Sequence, residues 1–231
     1  MAADRREFQG FARAGWALKR CRIGLRWSAS TVVGGCRTLL VAHGPGRHNA
    51  GQAVRLAAER FDLGAVVSTG YAGALNPGLR IGDILIAYRV VQFEGRLEYA
   101  VRLPVCVPSA SVTQGILLTL DQVAQDTGVK VRLRATGADA VDMEASGVAA
   151  EAGRRQLPLY CVRSISDEAH TAFEIDFNRA RRKDGTFSGW RVLAQAGFRP
   201  SRWRHLMKLR RDGIKASLRL GQCLQQCRFD F

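Results

Sequence analysis

Acidic side chains are scarce in this chain. Its 231 residues carry 35 Lys and Arg against 20 Asp and Glu, a formal net charge of +15 at pH 7. No apolar run approaches the length that would cross a bilayer, which excludes a transmembrane helix. The first residues, MAADRREFQGF, lack the apolar stretch of a secretory signal, so a cytoplasmic location is expected. Internal repeats and low-complexity tracts are also missing. The six cysteines, at 21, 36, 106, 161, 223 and 227, show neither zinc-type nor secreted-scaffold spacing. They are expected to be reduced thiols with no metal site, although Cys223 and Cys227 stand four apart. What is present is globular. Hydrophobic content of 47% and charged content of 24% lie near the soluble average, which excludes wholesale disorder.

The excess charge sits at the two ends. Residues 1–60 hold 11 basic and 3 acidic side chains, residues 61–170 hold 10 and 12, and residues 171–231 hold 14 and 5. A nucleic-acid enzyme would line its active groove with positive charge, whereas here the centre is neutral. A small-molecule site is expected in the middle, with basic ends that meet an anionic surface. Apolar patterning predicts strands over 38–43, 64–69, 83–91, 139–143 and 159–166, with a looser extended region over 103–120. Helical spacing covers 49–61 and 144–155. Strand–helix alternation of this kind predicts an α/β fold with a mixed, largely parallel central sheet. Composition shifts at 178, so the expected division is a catalytic domain over 1–177 and a basic helical extension over 178–231.

The most informative block runs from Asp139 to Asp167. Glu144 stands where a strand turns into a helix, and Asp167 stands where the next strand ends. With the two strands parallel, both carboxylates reach the edge where α/β sheets bind ligands. The turn Gly70, Tyr71, Ala72 and Gly73 follows another strand and brings backbone N–H groups to the same rim. Singly, these are an ordinary helix-dipole partner, a cap and a turn. Their order makes a site.

Three segments, STGYAG (68–73) followed by LRIGDI (79–84), AVDME (140–144) and VRSISD (162–167), resemble the nucleoside phosphorylase and methylthioadenosine/S-adenosylhomocysteine nucleosidase family over roughly residues 37–177. AVDME and the basic tail are most similar to the phosphorylase-like branch associated with hopanoid biosynthesis. The resemblance implies a three-layer sandwich, a homodimer, and an enzyme that cleaves the N-glycosidic bond of a purine nucleoside without metal or redox cofactor. It implies Asp167 as the acid that protonates the departing base, Glu144 on the ribose hydroxyls, and Met143 against the sugar. The turn 70–73 would lie near the sugar or the nucleophile. A buried acid would hold its proton near neutral pH. Family phosphorylases place Arg-x-Gly-Ser in the glycine turn to hold phosphate, and this chain has Ser68-Thr69-Gly70-Tyr71 instead. Arg47 and His48 are the alternative anion contacts, so phosphate as co-substrate and water both stay open. Glu7 matches the glutamate that positions water in nucleosidases. The apolar strand that should precede it is missing: either the start is truncated or the sheet lacks its first core strand. Val123 stands where nucleosidases stack a Phe on the base. Tyr71, Val123 and the short start also support an alternative reading, a catalytically weak nucleoside-binding or membrane-peripheral protein.

Between 202 and 224, Arg204, Lys208, Arg211, Lys215 and Arg219 form one helical stripe and Trp203, Leu206, Met207, Ile214 and Leu218 another. Two readings apply, a docked helix with a solvated basic face or an interfacial helix on anionic lipid at the inner membrane face. Specific nucleic-acid binding is not expected, because no stacking aromatics interleave the charges.

Overall fold

The computed structural model describes residues 1–33, 35–106, 109, 111–182 and 184–230. A 3-10 turn, Arg5–Phe8, leads into α1 (Gln9–Arg13). Strands β1 (Lys19–Arg20), β2 (Trp27–Val33) and β3 (Cys36–Ala42) form a small antiparallel sheet. Then come α2 (Arg47–Ala58), β4 (Val66–Ala74), β5 (Ile84–Gln92), β6 (Leu97–Ala100) and β7 (Val112–Thr119). They are followed by α3 (Thr127–Arg134), β8 (Ala140–Asp142), α4 (Ala145–Arg154) and β9 (Leu159–Asp167). The remainder forms α5 (Phe177–Ala180), α6 (Gly189–Ala196) and the long α7 (Pro200–Gln226). Of the extended region expected over 103–120, residues 112–119 are β7, and 107, 108 and 110 lie outside the described residues.

The main sheet has the order β6-β5-β7-β8-β4-β9, and β9 returns to pair with β5. Residues 84–86 of β5 run antiparallel to residues 162–164 of β9 while the whole of β5 runs parallel to β7. Five strands therefore close into a barrel-like ring. This corrects the expected three-layer sandwich: the main sheet is mixed, with parallel ladders β4–β9, β5–β7 and β7–β8 and antiparallel ladders β4–β8, β5–β6 and β5–β9, but it is closed rather than open. A long strand that bends at a register shift, as β5 does between Ala87 and Arg89, can satisfy two neighbours and leave less exposed edge. Alternate residues of β5 feed different cores. Leu85, Ala87 and Val90 pack with α2 and α4, whereas Ile84 and Ile86 pack with Phe8, Phe11, Leu220 and Leu224 of α1 and α7.

The missing first strand has a counterpart. The Ala2 N–H donates to Val41 O at 3.0 Å, and the Met1 carbonyl accepts from Thr69 N at 2.8 Å. Residues 1–2 thus occupy the slot between β3 and β4 and join the small sheet to the large one. A disulfide links Cys106 to Cys227, which corrects the expectation that all six thiols are reduced. It ties the end of α7 to the loop before β7, where Val105 and Arg228 also bridge.

Candidate active site

Glu7 is placed by its own turn. Its Oε1 accepts from Asp4 N at 2.9 Å, closing a capping box over the 3-10 helix, and its Oε2 accepts from Tyr71 N at 3.1 Å. Gly70 makes that approach feasible: a Cβ there would lie 1.9 Å from Glu7 Oε2, at a φ of +129° that disfavours a side chain in any case. Behind Glu7, Ser217 Oγ of α7 donates to the Glu7 carbonyl at 2.7 Å and accepts from Gly10 N at 2.6 Å. Burial pushes the Glu7 carboxyl up to about 8, and the negative charge of Glu144 adds to the rise.

Glu144 ends the β8–α4 turn. Its Oε1 accepts from Gly46 N at 2.8 Å, capping the start of α2, and its Oε2 accepts from Met143 N at 3.3 Å. Burial, then the neighbouring Asp142, raises its carboxyl to about 7. Met143 is buried beside it. Residues 70–73, expected as a turn after a strand, instead continue β4 and pair with β9, and the second of their glycines seats the third carboxylate: a Cβ on Gly73 would stand 2.8 Å from Asp167 Oδ2. Between Ala72 and Gly73 the β4–β9 register shifts, leaving Ser166 as an extra residue in β9. Bulges of this kind re-aim side chains beside active sites. Asp167 is 8% exposed, its Oδ1 accepts from Ser166 Oγ at 2.8 Å, and its Oδ2 accepts from Lys130 Nζ at 2.5 Å. The sequence predicts burial alone around this acid; the structure adds a buried ammonium.

The structure thus gathers Glu7, Met143, Glu144, Asp167 and residues 70–73 along the β4, β8 and β9 ends. Val123 is half-buried on the loop before α3, where it trades backbone hydrogen bonds with the Asn178 side chain at 2.9 and 3.1 Å. Tyr71 turns outward to donate its hydroxyl to Gly213 O of α7 at 2.7 Å. Arg47 is held by Asp121, with contacts of 2.8 and 2.9 Å, and His48 is exposed. An open cleft of about 470 Å³, lined by Glu174, Asp176, Arg179, Arg191 and neighbours, shares no residue with the carboxylates.

Three site-building residues were not singled out by the sequence reading. Arg163, 1% exposed, donates to Asp142 Oδ2 from Nη2 at 2.7 Å and from Nε at 3.2 Å, and to Ser68 Oγ at 2.9 Å. Asp142 also accepts from Thr119 Oγ1 and from Ala145 N, locking β7, β8, β9 and α4 together. A charged residue inside the apolar run of β9 was the available signal. Lys130 had none, because it sits among alternating Val, Arg and Leu residues of α3.

Known proteins resemble this chain in sequence and in fold. Residues 24–111 and 98–186 match the family described as the Phosphorylase superfamily. The chain is 31% identical over 189 residues to the 5'-methylthioadenosine/S-adenosylhomocysteine nucleosidase of Mycobacterium tuberculosis (strain CDC 1551 / Oshkosh), covering 62% of this chain and 74% of that protein. It is 28% identical over 162 residues to the aminodeoxyfutalosine nucleosidase of Campylobacter jejuni, covering 58% and 69%. The 5'-methylthioadenosine/S-adenosylhomocysteine nucleosidase of S. pneumoniae, solved with a transition-state inhibitor, superposes with a TM-score of 0.69 at 17% identity over 97% of this chain and 96% of that one, and so shares the fold.

Proposed function

The chain belongs to the phosphorylase superfamily, and on that premise we propose that it cleaves the N-glycosidic bond of a purine nucleoside or nucleoside-derived substrate with water. One observation carries the reading: two glycines in the last half of β4, Gly70 and Gly73, make room for Glu7 and for Asp167. As the bond from sugar to base lengthens, positive charge grows on the ribose and electrons flow into the purine. Asp167 protonates the base, and Glu144 accepts the ribose hydroxyls and offsets the sugar's charge. Glu7 takes a proton from the attacking water. Val123 and Met143 flank base and sugar. Water is favoured over phosphate because Tyr71 stands where the family's phosphorylases have serine, with its hydroxyl turned out to Gly213 O, and because Arg47 is engaged with Asp121.

The substrate's remainder is proposed from the other end of the molecule. Trp190 (77% exposed), Phe198, Trp203 and Met207 are exposed on α6, α7 and the link between them, a stretch that also carries Arg191, Arg199, Arg204 and Arg210. Apolar rings ringed by cations suit an anionic bilayer, and a nucleoside carrying a hopanoid-like tail would be met there. No helix of the described chain is long and apolar enough to cross a membrane.

The test is incubation with adenosine and with 5'-methylthioadenosine, with and without phosphate, following free base. Base release without phosphate is expected, falling by about 10²–10⁴-fold in Asp167→Asn. Release that requires phosphate would replace hydrolysis by phosphorolysis. No release in either case would support a binding protein that keeps the fold.

A further inference from the structure

Lys130 is a buried cation that the chemistry above does not use. It lies in the middle of α3, a helix capped by Asp126, whose side chain accepts from Val129 N at 3.1 Å. Its side chain is 1% exposed. The ammonium donates to Asp167 Oδ2 at 2.5 Å and to Glu168 O at 2.9 Å, and it lies 5.6 Å from the centre of the Phe173 ring. The Glu168 carboxylate does not compete for it, because that group faces Arg80 at 3.9 Å and His170 at 3.1 Å. Enclosing an ammonium is unfavourable unless a partner compensates it. Here that partner is the one side chain assigned as the acid.

Resting on the nucleosidase reading, the geometry points to Lys130 as the positioning residue of Asp167, the group that decides which carboxyl oxygen carries the catalytic proton. An ammonium has only donors, so Oδ2 must remain an acceptor. A proton on Asp167 is therefore confined to Oδ1, beside Ser166 Oγ. It is taken up from solvent as the substrate binds, since an acceptor nitrogen of the purine facing Oδ1 favours the protonated form. In the step itself the sugar–base bond breaks and its electron pair passes to the base. The Oδ1 proton moves to the base nitrogen, and Asp167 is left as a carboxylate. The Lys130 ammonium stabilises that developing anion more than it does the neutral acid, which is how a fixed charge lowers a barrier. Lys130 itself never reaches the substrate. Water supplies the hydroxyl that the sugar gains, and its proton leaves through Glu7.

The experiment compares wild type, Lys130→Met, Asp167→Asn and the double variant. With 5'-methylthioadenosine as probe, Lys130→Met should lower kcat by about tenfold or more and change KM much less, since the lost interaction belongs to the transition state. With 4-nitrophenyl β-D-ribofuranoside, whose leaving group departs without a proton, the same variant should match wild type. The double variant, which removes both buried charges and so does not leave one stranded, should be no slower than Asp167→Asn alone. Propylammonium should restore activity to Lys130→Ala, and propanol should not. A wild-type kcat for Lys130→Met, or an equal loss on the nitrophenyl riboside, overturns the proposal while leaving a slow Asp167→Asn, and with it the nucleosidase reading, intact. A wild-type rate for Asp167→Asn overturns both.

Discussion

Two buried carboxyls, Glu7 and Glu144, are both raised towards neutrality, and their titration should be visible in both stability and rate. Glu7 rises to about 8 from an ordinary 4.5, mainly through burial. The folded state then binds a proton that the unfolded state has already released, so stability is greatest below about 4.5 and falls as pH rises towards about 8. Denaturant midpoints measured across that window should decline, and Glu7→Gln should flatten the slope. Catalysis runs the other way, because a water-activating base must be ionised. The rate of base release should climb with pH towards about 8 as Glu7 ionises, and that climb should vanish in Glu7→Gln. Glu144, raised to about 7, is read through the sugar. Glu144→Gln should slow a ribonucleoside more than its 2′-deoxy counterpart, and equal losses would remove it from the hydroxyls. Gly70→Ala tests the seat itself. With a Cβ 1.9 Å from Glu7 Oε2, the substitution should cost about 1–3 kcal/mol and abolish the Glu7-dependent limb of the rate profile.

At the scale of elements, α7 is two helices in one. Its second half is core: Ala216, Ser217, Leu220, Gly221 and Leu224 are buried, and Gly10 of α1 sits so close that a Cβ would lie 2.2 Å from Leu218 N. Its first half, with α6, carries the exposed rings and arginines. Of the cationic stripe read from the sequence, Arg219 donates to Ser111 Oγ at 2.7 Å and Lys208 pairs with Asp212 at 2.8 Å, so neither is wholly free for a surface. Removing everything beyond 178 would take away the Ser217 brace of Glu7, so the membrane is better tested by surface substitution. The whole chain should co-sediment with vesicles containing anionic lipid at low salt and lose them at high salt, since each basic side chain contributes about 1 kcal/mol through a screened field. Trp203→Ser with Met207→Ser should weaken the association while leaving base release unchanged. Indifference to anionic vesicles would leave α6 and α7 as docked, solvated helices.

For the molecule as a whole, the closed sheet and the terminal clamp act together. The Cys106–Cys227 bond joins residues 121 apart in sequence, and a constraint on so long a loop restricts the unfolded chain. Reduction, or Cys106→Ser, should lower unfolding stability by roughly 2–4 kcal/mol, seen as a drop in denaturant midpoint. An unchanged midpoint would mean that the Val105–Arg228 bridge and the packing of α7 hold this end alone.

Much of the site is legible in the linear order of residues. A strand that ends in glycines, a strand that ends in a carboxylate before a helix, and a strand that ends in Asp167 can be read from apolar runs and their punctuation, because strand ends and helix starts are local properties of the backbone. The short range of that signal also sets its limit. Hydrophobic periodicity identifies β5 but does not say that it pairs with both β7 and β9, so the ring closure belongs to tertiary structure. The same holds for residues 1–2 in the slot beside β4, for the Cys106–Cys227 bond, and for Ser217 beneath Glu7 across 210 positions. Lys130 is the sharpest case. Its neighbours in α3 would suit a solvated lysine equally well, and only the packing of that helix against the end of β9 brings its ammonium to Asp167. The sequence by itself pointed to the residues proposed for the chemistry. The fold decided which charges face one another, because burial and partnership are properties of assembled surfaces that no local spacing encodes.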